Sequence, residues 1–342
     1  MINVKMFIFL IACLSLIVAC RGGIDIPTEF PTPPPVPNAT PAAKMILKQD
    51  AELEKQIAKI AEEAKGKVGV AAVVLETGDA AMLSTDQHYP MQSVYKLPIS
   101  MAVMDQVRLG KLELDEKIGV TKDDMVREGQ RSPLRDANPN GGEFTIRELI
   151  RLALVESDGT ASDVLMRVAG GAEEIQYYLT QIGINDMKVL NTEKELGRDW
   201  ETQYKNWATP LAAASILQHL CIVASGGAMA NVDCKALAPV DNLSNFHDTM
   251  RGVLYVMSRS IPGAERLKGL LPTGTTVAHK TGTSGSQNGI TGATNDIGII
   301  WLPNGKHAAI AVFVSDSPAD EKTREAVIAK IAKACWDRWS KR

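Results

Sequence analysis

Ser93-Val94-Tyr95-Lys96-Leu97-Pro98-Ile99-Ser100-Met101-Ala102-Val103-Met104-Asp105-Gln106-Val107 is apolar on almost every side from Leu97 onward. A surface helix keeps one polar face, so a helix that lacks one is buried. The stretch reads as an interior helix closed by Gly110. Ser93 and Lys96 sit at its mouth. Residues three apart share one side of a helix, so Lys96 can reach back to Ser93. A serine hydroxyl is a poor nucleophile until a base takes its proton. A helix start adds free N–H groups and the positive dipole end. Pro98 removes one hydrogen bond near the first turn. A surface Ser and a surface Lys would give the same spacing, but the apolar run that follows argues against that reading.

Outward from this helix, strand signals stand at both ends of the chain. On the N-terminal side, Val68 to Leu75 is β-rich, and Thr77-Gly78-Asp79 turns it into a second short run, a predicted hairpin. Residues 44–65 carry Ile46, Leu47, Leu53, Ile57, Ile60 and Ala61 at helical spacing, stopped by Gly66. On the C-terminal side, Thr276 to Lys280 predicts a strand. Asp296 to Leu302 and Ala308 to Ser315 flank the turn Pro303-Asn304-Gly305-Lys306. Residues 318–340 predict a closing helix. Between the ends, Thr145 with Glu148 forms a capping-box signature, and Pro210 to Leu220 is Ala/Leu-rich. The order predicts an α/β lobe built from both ends (residues 44–90 and 241–342) around an inserted all-α lobe (91–240).

The 342 residues are 45% apolar, enough for a sizeable core, and the formal charge of -3 with no long basic run excludes a nucleic-acid binder. Lys5 and the apolar run Met6 to Ala19 read as a signal peptide over 1–19, too short to span a bilayer comfortably. The run stops at Cys20. Leu16-Ile17-Val18-Ala19-Cys20 resembles a bacterial lipobox, with Cys20 lipidated. Pro-rich Pro27 to Pro41 makes residues 20–43 a polyproline tether. Arg21 after the cysteine resembles outer-membrane lipoproteins of Gram-negative bacteria. The expected location is therefore periplasmic, with membrane contact through the lipid anchor only. Cys221 and Cys234 bracket a Gly/Ala/Asn-rich loop. They could be bridged in an oxidising compartment or be two separate small apolar residues. There is no Cys-x-x-Cys and no His-x-x-x-His, so neither a metal nor a cofactor is expected. A monomer is the default expectation.

Two further motifs carry chemistry. Ser157-Asp158-Gly159 offers a second serine that could pass a proton to a leaving nitrogen; read alone, it is equally a helix N-cap. Lys280-Thr281-Gly282-Thr283 ends a predicted strand. Its lysine gives a fixed charge, its threonines give donors to a carboxylate, and its glycine permits close backbone approach. Read alone, it is an ordinary edge strand. In this order, Ser-x-x-Lys, Ser-Asp-Gly and Lys-Thr-Gly over residues 44–340 resemble the class A serine β-lactamases. The resemblance is strongest to the branch with the PER- and VEB-type enzymes, through Gln203-Tyr204-Lys205-Asn206-Trp207 and Glu265-Arg266-Leu267-Lys268-Gly269-Leu270-Leu271-Pro272.

The resemblance implies the two-lobe serine β-lactamase/transpeptidase-like fold, an antiparallel sheet flanked by N- and C-terminal helices with an inserted helical lobe. It implies hydrolysis of penicillins and cephalosporins through an acyl-serine, and hence β-lactam resistance. Ser93 would be the nucleophile. Its proton would go to Lys96, or to Glu193 through water. Ser157 would protonate the lactam nitrogen. The N–H groups of Ser93 and Thr283 would form the oxyanion hole. Lys280, Thr281, Gly282 and Thr283 would hold the substrate carboxylate, joined by Arg266. Glu193-Lys194-Glu195-Leu196-Gly197 matches the family's Ω-shaped loop. There Glu193 would activate the deacylating water, with Glu195 as its rival. Two positions depart from the family: Gly159 and Gly197 stand where it usually carries Asn. Asn191 and Asn206 replace the common Arg–Asp brace. A DD-peptidase would share the three motifs but not Glu193; a β-lactam sensor would keep Ser93 and Lys96 and need no Glu193.

Overall fold

The computed structural model describes residues 46–226, 234 and 246–341, all within one compact unit. The leader over 1–19, Cys20 and the tether lie outside the described residues. The main sheet has seven strands: β1 (Lys48–Gln49), β2 (Lys67–Val74), β3 (Asp79–Leu83), β4 (Val277–Thr283), β5 (Ser286–Gln287), β6 (Ile290–Trp301) and β7 (His307–Ser317). Their order is β1-β3-β2-β7-β6, with β4 and β5 both on the far edge of β6. Only β1–β3 is parallel. The N-terminal hairpin therefore joins the C-terminal strands through β2–β7, in the register Val70↔Val312.

Ten helices matter here: α1 (Ala51–Ala61), α2 (Lys96–Arg108), α3 (Pro133–Ala137), α4 (Ile146–Val155), α5 (Gly159–Val168), α6 (Ala172–Gln181), α7 (Glu193–Leu196), α8 (Pro210–Ala224), α9 (Phe246–Ser258) and α10 (Glu321–Trp339). Both faces of the sheet are covered, so β7 has no polar face. Ile310, Val312 and Val314 join Leu53 and Ile57 of α1 and Val327, Ile328 and Ile331 of α10. Ala309, Ala311 and Phe313 point the other way, into the core that holds α2 and α8. Each fully buried Val, Ile or Leu contributes about 1.5–3 kcal/mol. The predicted interior helix is α2: Leu97, Ile99, Met101 and Val103 are fully buried, and α4, α5, α6 and α9 pack around it. Gly110, φ 68°, follows its end. Pro98 lies in its first turn, where N–H groups lack an intrahelical acceptor anyway. The Thr145–Glu148 capping box opens α4.

Some boundaries differ from the sequence expectation. The helix expected over 44–65 begins only at Ala51, capped by Asp50, whose carboxylate accepts the Leu53 N–H. Lys48–Gln49 pair instead with Asp79–Ala80, and Ile46 and Leu47 are exposed. The strand expected from Asp296 starts at Ile290, because β4 and β5 both pair with it. A disulfide joins Cys221, near the end of α8, to Cys234, with Cα atoms 5.2 Å apart. Among the described residues, no helix is long and apolar enough to cross a membrane.

Candidate active site

One side chain, Asn295 of β6, docks the turn that carries Ser93. Its Nδ2 donates to the carbonyls of Pro90 (2.8 Å) and Met91 (3.2 Å). Gly282 of β4 passes this turn so closely that a Cβ there would lie 2.2 Å from the Met91 carbonyl oxygen. Gln92, at φ 48°, then turns the chain so that Ser93 enters a cleft. The cleft, of about 680 Å³, has Ser93, Ser157, Glu193, Thr281 and Thr283 in its walls.

Inside it, Lys96 is buried and donates 2.7 Å to Ser93 Oγ and 2.6 Å to Glu193 Oε2. The phenol of Tyr95 donates 2.8 Å to the same Oε2. Burial alone would raise the Glu193 pKa; the Lys96 charge and the hydrogen bonds from Lys96 and Tyr95 outweigh it and hold the carboxyl below its ordinary value. On the opposite wall Lys280 Nζ donates 2.9 Å to Ser157 Oγ. Burial, reinforced by the Lys96 charge, pushes the Lys280 pKa well down. Ser157 sits in the left-handed region at φ 59°. Asp158 next to it is the N-cap of α5, accepting the Ala161 N–H (2.8 Å) and the Leu134 N–H of α3 (2.6 Å). The cap in this motif is thus Asp158, while Ser157 is the member that lines the cleft.

The segment that carries Glu193 is held by groups the sequence did not mark. Asp163 of α5 accepts the N–H groups of Glu193 (2.6 Å) and Lys194 (3.0 Å). Gln130 donates to the Glu193 carbonyl. Asn206 Oδ1 accepts the N–H groups of Leu190 (2.8 Å) and Asn191 (2.9 Å), so an uncharged clasp stands where the Arg–Asp brace is missing. Glu195 is spent on a capping box, accepting the Thr192 N–H at 3.0 Å, which leaves Glu193 as the carboxylate that faces the cleft. The signal for Asp163 was an acid among the mostly small and apolar residues of a helix whose other charge is Arg167. For Tyr95 it was a hydroxyl beside the Ser-x-x-Lys lysine.

Arg266 does not face the cleft as a free guanidinium. It is buried behind β4, donating to Glu325 (2.9 Å), the carbonyls of Gly282 (3.3 Å) and Asn295 (3.0 Å), and Thr283 Oγ1 (2.8 Å). Four of the five guanidinium N–H groups are engaged in this way, and the fifth is the second Nη2 hydrogen, beside the Thr283 hydroxyl. Among the described residues, no group of three His, Cys, Asp or Glu side chains is placed to hold a metal ion.

The two glycines differ in what surrounds them. A Cβ on Gly159 would lie 2.7 Å from Glu193 Cγ, so the Glu193 stem occupies the space a side chain would need. On Gly197 it would meet the ends of Arg127 and Gln130, and Gln130 can move aside only by giving up its bond to the Glu193 carbonyl. Gly159→Asn is therefore expected to displace Glu193 and lower kcat about 10- to 100-fold. Gly197→Asn is expected to cost less, about two- to tenfold, because the side chains it meets are flexible and one tie to the Glu193 carbonyl is lost. Steady-state kinetics of the two variants checks the contrast; equal losses would refute it.

A family model of the β-lactamase enzyme family matches residues 52–237 and 245–339. β-Lactamase VEB-1 of Pseudomonas aeruginosa is 34% identical over 84% of this chain and 91% of its own length. The extended-spectrum β-lactamase PER-1 of the same organism is 35% identical, over 83% and 86% respectively. The crystal structure of a β-lactamase from Chitinophaga pinensis superposes with a TM-score of 0.75 at 37% identity, covering 84% of this chain and 99% of that one. On these matches the chain belongs to the β-lactamase enzyme family, among the class A serine enzymes.

Proposed function

We propose that the protein hydrolyses the β-lactam ring of penicillins and cephalosporins through an acyl-serine on Ser93, and so confers resistance to them. The observation that carries this reading is the unbroken path Ser93 Oγ–Lys96 Nζ–Glu193 Oε2, with steps of 2.7 and 2.6 Å. Ser93 Oγ attacks the lactam carbonyl, and its proton passes through Lys96 to Glu193. The N–H groups of Ser93 and Thr283 stabilise the oxyanion; one such donor is worth about 3–4 kcal/mol. The C–N bond then breaks, and the nitrogen takes the Ser157 hydroxyl proton. Lys280, whose lowered pKa makes it a willing donor, resupplies Ser157 and regains a proton from Glu193 through solvent in the cleft, so that Glu193 is ionised again before the ester is cut. Lys280, Thr281 and Thr283 hold the substrate carboxylate. In the second half, Glu193 takes a proton from a water that adds to the ester, and Ser93 leaves with a proton returned through Lys96.

The leader, the lipobox and the proline-rich tether support a mature form that starts at a lipidated Cys20. That form would be held in the periplasm on the outer membrane of a Gram-negative cell and would act as a monomer. The test of the activity is multiple turnover. The mature domain is mixed with a hundredfold excess of a chromogenic cephalosporin, and complete hydrolysis of the excess is expected. Release of one chromophore per protein, followed by a stable adduct on the Ser93 peptide, would favour a DD-peptidase or a sensor instead.

A further inference from the structure

Two donors converge on a single oxygen of Glu193. Lys96 Nζ lies 2.6 Å and the Tyr95 hydroxyl 2.8 Å from Oε2. The phenol has one other polar neighbour, Ser162 Oγ at 3.4 Å. Ser162 is itself within donating distance of the Gly159 carbonyl, at 2.9 Å. An ionised carboxylate only accepts, so the phenol proton belongs to Glu193. Tyr95 is fully buried, with no water to compete for that proton. Phenylalanine would fill the same space without the bond, so packing alone does not require the hydroxyl.

Resting on the reading above, we propose that Tyr95 is a positioning residue that fixes which oxygen of Glu193 serves as the base: by occupying Oε2 together with Lys96, it directs the proton of the hydrolytic water to Oε1. An oxygen that already accepts two short hydrogen bonds has no convenient lone pair for a third proton. Oε1 has no protein donor among the described residues and belongs to a side chain that lines the cleft. During deacylation the water O–H bond breaks, its oxygen bonds to the acyl carbon, and its proton goes to Oε1. Tyr95 stays protonated throughout. Burial and the Glu193 charge push its pKa far up, so it cannot itself serve as the base at neutral pH.

The bond has a second effect, on the pH at which the base works. A donor to the ionised form lowers a carboxyl pKa. Among the charged groups around Glu193, Lys96 and Lys280 act in the same sense, and Asp163 beneath the Glu193 N–H opposes them. Arg131 and Asp199 line the same cleft. All of these remain in a Tyr95→Phe variant, so they cancel in the comparison.

The experiment measures deacylation against pH for the parent and Tyr95→Phe, with acylation followed separately by stopped flow. Loss of one neutral hydrogen bond should move the acid limb of deacylation up by about 0.5–1 pH unit. The acylation rate should change much less. A residue that only packs would change the melting temperature and leave the limb in place. Should Tyr95→Phe fold poorly, 3-fluorotyrosine placed at position 95 gives the opposite sign: its more acidic hydroxyl donates more strongly, so the limb should move down. An unmoved limb in a turning-over variant would overturn the role of Tyr95 and leave the lactamase reading intact. A parent with no turnover would sink that reading first.

Discussion

Glu193→Gln is expected to stop turnover after one equivalent of β-lactam, leaving a stable adduct on Ser93. The amide keeps the size of the carboxylate and can still accept from Lys96 and Tyr95 through its oxygen. It cannot take a proton from water. A positioned general base contributes about 10²- to 10⁴-fold, so deacylation should fall by that factor. Acylation should fall less, since Lys96 remains 2.7 Å from Ser93 Oγ. The substitution also removes the partner of a buried ammonium, at a cost of about 3–5 kcal/mol if the lysine stays charged. The variant should therefore melt lower as well. Intact-mass spectrometry at one minute and one hour reads the adduct, and stopped flow reads the two rates. A variant within tenfold of the parent in kcat would show that another group activates the water.

Asp163→Ala is expected to cost more than any other change outside the cleft. Asp163 accepts the N–H of Glu193 and that of Lys194, so its loss orphans two donors at the base of the catalytic segment. At about 1–3 kcal/mol each, less the relief of a covered charge, the expected loss is about 2–4 kcal/mol. In a domain of this size that is a melting-temperature drop of about 5–10 °C. The catalytic loss should be larger in proportion, because Glu193 loses its hold on α5. Asp163 also makes a pH signature. Burial pushes its pKa up to about 7, although both N–H bonds and Lys96 pull it down. The folded state therefore holds more protons than the unfolded state between about pH 4 and 7. This term is favourable at the acid end of that window and fades as pH rises through it. Asp163→Asn, which has no proton to exchange, should remove that slope. Melting curves at pH 5, 6, 7 and 8 for both proteins test it; parallel curves would refute the assignment.

The fold was legible where periodicity was strong. The all-round apolarity of Leu97 to Val107 marked α2, and the turn at Pro303 to Lys306 marked the β6–β7 hairpin. Both follow from local pattern alone. What stayed hidden depends on residues far apart in the chain. Ile46 and Leu47 mimic a helical stripe, and only the pairing of Lys48–Gln49 with β3 shows that the helix starts later. The same holds in the site. Ser93, Lys96, Ser157 and Lys280 are carried by short motifs, whereas Asp163, Gln130 and Asn206 act on backbone groups far along the chain. Arg266 was visible as a residue but not as one already occupied, because Glu325, which engages it, lies in α10. Gly159 read only as a departure from the usual Asn; the structure shows a space that Glu193 fills.

The seam between β2 and β7 has a consequence for how the protein is made. Ser317, at the end of β7, donates to the Ala64 carbonyl just ahead of β2, across 253 positions of sequence. A growing chain cannot complete the sheet until Ser317 has left the ribosome, and pairing so distant is slow to form. Until then β2 has a bare edge, which aggregates readily. Premature stop codons before or within β7 should yield insoluble product rather than a weaker enzyme.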